Sequence, residues 1–271
     1  MTFTVFRIFV NGVRFVRELR EYSIPTIEIT LNDESTLDDM INLFVDINQY
    51  GVKVNRFDIV KAISRNDEFL MDVFGLVAEK QKRGEDVFYR TKRTPFTNIL
   101  KTVNVIQKIS DGKSQVDRMW ERLLEIVLFQ RTLKHRKPVE ILKGFISKPE
   151  QPSARLSTAE AATLRKLFVF FGYAYKETTL ATSRLATDQT HFYSMVTTLI
   201  ATKALEIYGP DVLKKKLETF GELLDGKLVL DDEHAGEKAF QQYRNLSTRQ
   251  TTDVSKRADR QKHFAAVLEA L

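Results

Sequence analysis

The chain of 271 residues contains no cysteine. Disulfides and thiolate metal sites are therefore excluded, and a cytoplasmic location is expected. Glycine is sparse, with 11 residues and no clustering. None of the patterns G-x-x-x-x-G-K-[ST], G-x-G-x-x-G or G-x-S-x-G occurs, so no glycine-rich phosphate cradle is read from it. The four histidines, His135, His191, His234 and His263, lack ligand spacing, and each reads as a surface or interhelical residue rather than a metal ligand. Apolar runs are short: Leu167-Phe168-Val169-Phe170-Phe171 stops at Gly172, and Ile8-Phe9-Val10 stops at Asn11. Neither approaches the ~20 residues that span a bilayer, so no membrane partner is expected. The start of the chain lacks the charge and cleavage pattern of a secretory signal.

What remains is ordinary soluble-protein material, 43% hydrophobic and 29% charged, long enough for one large domain or two modest ones. The net charge of +6 favours phosphate-bearing partners, or simply solvates many helix faces. Near the start, Phe6, Phe9, Val10, Val13 and Val16 at helical spacing favour a helix through Tyr22 over the hairpin that Asn11-Gly12 signals. Ile24 to Thr30 alternates as a strand, and a single strand needs a partner. Leu37, Met40, Ile41, Phe44 and Ile47 form an apolar helical stripe.

From Asn66 onward the pattern is read as almost wholly helical. Stripes run through Phe69, Val73, Leu76 and Val77, then Ile99 to Ile109, then Trp120, Leu123, Leu124, Val127 and Leu128. Pro149 and Pro152 mark a break, and Ser157-Thr158-Ala159-Glu160 is a capping box that reopens a helix. A further helix is expected from Asp188 past Ile207 to a stop at Gly209-Pro210, another after Asp211, and a last one over Asp253 to Leu271. The fold class expected is mainly α, a helical domain over 66–271 with a small α+β piece over 1–65.

The candidate chemistry is modest. Acid pairs such as Asp38-Asp39 and Asp231-Asp232-Glu233 read as caps or loops before they read as acid–base groups. Arg90, Lys92 and Arg93, flanked by Phe88, Tyr89 and Phe96, suit backbone and base contacts with nucleic acid. Arg257 and Arg260 share a helix face and are a second candidate for the same role. Arg131 to Lys137 and Lys214-Lys215-Lys216 are further basic clusters; a solvated face is the alternative for each.

Phe44-x-x-x-Asn48-x-x-Gly51 with Val54 resembles the F-x-x-x-N-x-x-G-x-x-L signature of the GmrS-type domain family, part of the GmrSD modification-dependent restriction systems. The order of elements is similar too: a helix, an Ile-Pro strand over Tyr22 to Ile29, the signature helix, and the acid-bearing Phe57 to Ala62. Thr251-Thr252 followed by Arg257 and Arg260 is similar to the family's closing segment. The resemblance implies a ParB/sulfiredoxin-like N-terminal fold, here its C-terminal part over 1–65, followed by a helical region. It also implies NTP hydrolysis with a divalent cation, coupled to DNA restriction or phage defence, with a nuclease subunit as partner. Asn48 would then hydrogen-bond a nucleotide or orient its loop, Gly51 would permit the turn, and Phe44 would pack the signature helix. A left-handed helix cap is the alternative for Asn48. The chain departs from the family in having no D-G-Q-Q-R motif, in Asp46 where many members carry Arg, and in Val54 for Leu. It is therefore expected to be incomplete or inactive alone: a fragment, the product of a truncated gene, a degenerate remnant, or a subunit completed by a chain that supplies the missing N-terminal part. The competing expectation is a non-enzymatic helical module that binds nucleic acid or protein.

Overall fold

A computed structural model describes residues 67–83, 86–103, 115–137, 140–141, 154–231, 233–248 and 251–271. All lie in the unit Phe44–Leu271. The strand expected at Ile24 to Thr30, the signature stretch and the boundary at residues 65 and 66 lie outside the described residues.

The described residues are mainly helical, with one two-stranded antiparallel sheet. Asp67 caps the first helix among the described residues, α1 (Glu68–Gly75), by accepting from the Leu70 N–H at 3.1 Å. Its Phe69, Leu70, Val73 and Phe74 are buried. The expected stripe outlasts the helix: Leu76 and Val77 lie in the turn beyond it, where Val77 is still fully buried.

The chain then forms strands β1 (Ala78–Arg83) and β2 (Asp86–Thr91), where helix was expected. Register pairs Ala78 with Thr91, Glu79 with Arg90 and Arg83 with Asp86. β1 reads Ala-Glu-Lys-Gln-Lys-Arg, without a β-branched or aromatic residue, so propensity hides it. The signal was in Gly84-Glu85, a glycine-led dipeptide of the kind that closes two-residue hairpins, followed by the β-forming Val87 to Thr91. Tyr89 packs edge-on against Phe74 at 4.9 Å, and Phe74 edge-on against Trp120 at 5.2 Å, tying the hairpin to the helices below it.

Helix α2 (Pro95–Leu100) begins with Thr94 and Thr97 in a reciprocal cap and Pro95 in the first turn. The same hydroxyls reach back, Thr97 to the Lys92 carbonyl at 2.7 Å and Thr94 to the Leu76 carbonyl at 3.0 Å. Helix α3 (Gln115–Thr132) buries Trp120, Leu123, Leu124, Val127 and Leu128, the stripe expected. Helix α4 (Thr158–Glu177) starts at the expected capping box, Ser157 with Glu160. Glu160 also takes a two-pronged ion pair from Arg131, at 2.7 and 3.0 Å, which ties the end of α3 to the start of α4. The Arg131 hydrogen bonds are the main reason the Glu160 carboxyl is lowered from 4.5 to about 2.

A 3₁₀ turn (Thr179–Thr182) and the short α5 (Arg184–Thr187) lead to α6 (Gln189–Thr202), capped by Asp188. Helix α6 ends earlier than expected because Lys203 turns into left-handed backbone (φ 51°, ψ 36°). The expected stop at Gly209-Pro210 is instead a kink inside α7 (Ala204–Asp225), with Gly209 at φ 72°, ψ 166°. Proline restarts the helix there, its missing N–H being one that a first turn leaves unpaired in any case. Leu213, Leu217, Phe220 and Leu224 face inward as expected. Helices α8 (Glu237–Leu246) and α9 (Val254–Ala270) close the body. Phe220 stacks on Phe264 at 4.2 Å and meets Tyr243 edge-on at 5.3 Å, so α7, α8 and α9 share one aromatic centre.

Candidate functional site

The two basic candidates separate. Arg257 and Arg260 do share a face of α9, but it is the inner one, with only 3% and 1% of each exposed. As surface contacts for nucleic acid they are therefore corrected. The (i, i+3) spacing says that two residues lie together, not which way they point. A signal was available: Arg257, Arg260, Phe264, Val267 and Leu268 form one continuous stripe, and the last three are core.

Inside, Arg257 pairs with Glu125 of α3, and Arg122 one turn away pairs with the same carboxylate. All three are buried, with Arg122 5%, Glu125 3% and Arg257 3% exposed. Arg257 also donates to the Arg136 carbonyl at 3.1 Å and lies 4.3 Å over the Tyr193 ring. Arg260 donates to the Ser194 hydroxyl at 3.2 Å, the Leu246 carbonyl at 3.1 Å and the Thr251 carbonyl at 2.6 Å. Thr251 and Arg260, picked out together in the sequence, thus meet through the Thr251 backbone. Arg260 is satisfied by neutral oxygens, and burial lowers its pKa.

Two histidines border this cluster. His135 sits between the Gln261 Oε1, 2.7 Å from Nε2, and the Tyr193 hydroxyl, 3.1 Å from Nδ1. A carbonyl oxygen only accepts, so this amide orientation puts the ring proton on Nε2 and makes Nδ1 the acceptor of the tyrosine. His191 Nδ1 lies 2.8 Å from the Tyr243 hydroxyl. Burial lowers both histidines from 6.5 to about 4 and pushes both tyrosines up. With neutral imidazoles, un-ionised phenols and guanidiniums held by oxygens, the cluster fastens α3, α6, α8 and α9 together. Its arginines and Glu125 are buried, and only His135 and Gln261 at its edge are half-buried.

The hairpin cations have the opposite character. Arg90, Lys92 and Arg93 are all exposed, and Tyr89 beside them is 41% exposed. Arg90 stands across from Glu79 in the register, and Lys92 donates a long hydrogen bond, 3.4 Å, to the Gly75 carbonyl. The Lys92 N–H bonds the Val77 carbonyl at 2.8 Å, and the buried Thr94 and Thr97 fix the backbone just beyond it. Phe96, expected to flank the cluster at the surface, is fully buried against Phe168 at 4.9 Å. The other basic clusters are partly engaged: Arg131 by Glu160, Lys214 by the Tyr173 hydroxyl at 2.8 Å, and Lys216 by the Leu268 carbonyl at 3.0 Å.

Phe44, Asn48 and Gly51 lie outside the described residues. Among the described residues no cluster of three His, Asp or Glu side chains is placed to hold a metal ion, and no helix is long and apolar enough to cross a membrane. Compared with protein-family models, with curated proteins and with solved structures, the chain has no match.

Proposed function

We propose that the helical body is a nucleic-acid-binding module whose contact surface is the hairpin segment of Arg90, Lys92 and Arg93, with Tyr89 as its aromatic neighbour. The observation that carries this reading is the contrast between the two arginine groups. Arg257 and Arg260 are consumed by internal carboxylate and carbonyl partners, whereas Arg90 and Arg93 stand exposed on a backbone pinned at its base by Thr94 and Thr97. Exposed cations on a fixed strand suit phosphate contacts, and the net charge of +6 supports the same class of partner. The sequence resemblance to GmrS-type domains supports placing such a module in a DNA restriction or defence system. A nucleotide-sensing role for Asn48 and Gly51 rests on that resemblance alone.

The test is fluorescence anisotropy of labelled duplex and single-stranded DNA across a salt series, with wild type and Arg90→Ala/Lys92→Ala/Arg93→Ala. Each lost phosphate contact lowers the slope of log affinity against log salt by about 0.9 on duplex DNA, so the triple variant loses about 2.7 if all three touch phosphate. Unchanged affinity and slope in a variant with an unchanged far-ultraviolet spectrum refutes the reading.

A further inference from the structure

On another part of the surface, α4, the end of α6 and the start of α7 enclose a narrow groove of about 70 Å³. Its floor is apolar, made by Leu164, Leu167, Leu199 and Leu205. That volume is about half the ~150 Å³ cavity that admits a benzene ring, and far below the ~300–1,000 Å³ of pockets for drug-sized ligands. One aliphatic or aromatic side-chain tip fits; a nucleotide does not.

The rim is basic. Lys166 and Lys203 stand on it, both exposed, and neither has an ion-pair partner among the described residues; the rim's one acid is Glu206. Lys203 carries a second oddity. It occupies left-handed backbone at the end of α6, a position where glycine sits without steric penalty and a lysine does not. Its side chain makes no hydrogen bond there that would compensate the strain. A strained residue aimed at a surface groove is the pattern of a residue kept for contact rather than for stability.

We propose that this groove docks a short acidic segment of a partner protein, with a leucine or phenylalanine side chain entering between α4 and α7 and flanking carboxylates pairing with Lys166 and Lys203. Charge decides against a second copy of this chain. A two-fold contact through this face sets two rims of two lysines and one glutamate against each other, net positive on both sides, in a chain that already carries +6. The groove stands apart from the hairpin cations in its residues and in its chemistry, so it does not depend on the nucleic-acid reading.

The experiment titrates isotope-labelled full-length protein with three fluorescein-labelled peptides: Asp-Glu-Leu-Phe-Asp-Glu, the same core flanked by lysines, and the acidic frame with serines in place of Leu-Phe. The first peptide is expected to saturate and to shift the amides of Lys166, Lys203 and Leu205; the other two are not. Lys166→Glu/Lys203→Glu is expected to weaken binding by about tenfold, as two surface ion pairs turn repulsive. Lys203→Gly gives the sharper reading, because relief of the backbone raises the melting temperature while loss of the ammonium lowers affinity. Equal binding of any two peptides, no binding of the first, shifts mapping elsewhere, or Lys203→Gly binding as tightly as wild type each overturns the proposal. So does a dimer of the peptide-free protein that the double variant abolishes, since that makes a second copy the occupant.

Discussion

Glu125→Gln removes one charge from a place where two guanidiniums depend on it. Arg122 and Arg257 both bond to Glu125, and the three residues are 5%, 3% and 3% exposed. The amide keeps the shape of the carboxylate, so packing changes little and the lost electrostatics dominate. Breaking a buried ion pair costs about 3–5 kcal/mol because an uncompensated charge is left behind. Here Arg257 keeps the Arg136 carbonyl at 3.1 Å and the face of Tyr193 at 4.3 Å, whereas Arg122 keeps only a more distant view of that ring at 5.7 Å. A loss of about 4 kcal/mol follows, a large part of the ~5–15 kcal/mol that holds a typical domain together. Urea unfolding followed by circular dichroism and by Trp120 fluorescence measures it as a fall in midpoint at constant slope. Replacing Arg122, Glu125 and Arg257 together by methionine is expected to cost far less. Both arginine Nε groups are already buried without a hydrogen-bond partner, so the network pays a desolvation cost that an apolar trio avoids. A loss under ~1 kcal/mol in Glu125→Gln, or a triple variant as unstable as the single one, refutes the assignment of the cluster as an electrostatic fastener.

Acid is expected to destabilise the protein in two windows. His135 and His191 titrate at about 4 when folded and at 6.5 when not, so the unfolded chain takes up protons that the native one refuses. Their contribution is complete above 6.5 and is lost as pH falls towards 4; urea midpoints across that range show a slope that His135→Gln/His191→Gln flattens. Glu160, lowered from 4.5 to about 2, adds a second loss below 4.5, absent in Glu160→Gln. Gly221→Ala is expected to lower the melting temperature although alanine is the better helix former. Its Cβ would lie 2.9 Å from the Ser183 Oγ, which is buried and donates to the Leu180 carbonyl at 2.8 Å, so it cannot swing away; Ser183→Gly in the same chain restores part of the loss.

Much of the helical body was legible because its signals are local. Asp67, Ser157, Asp188 and Asp253 each cap the helix that follows, and a side chain bonding an N–H two or three residues on needs no tertiary partner. The break at Lys203 was not legible, since lysine carries no left-handed preference. The hairpin was obscured because β1 is mostly charged, without a β-branched or aromatic residue, and becomes a strand only against β2.

The basic residues show the division most clearly. Sequence alone determined which cations are neighbours, because adjacency is covalent and (i, i+3) spacing shares a face once the expected helix forms: Arg90 with Lys92 and Arg93, and Arg257 with Arg260. Tertiary structure alone decided what each group is for. Glu125, far away in the chain, turns one arginine pair inward and neutralises part of it in the core. The Phe74–Tyr89 contact and the Thr94–Thr97 cap hold the other group at the surface. Whether a guanidinium is spent on a carboxylate or left for a phosphate depends on which element packs over it; the α9 stripe marked Arg257 and Arg260 as inward, but their partner Glu125 is set only by the tertiary fold.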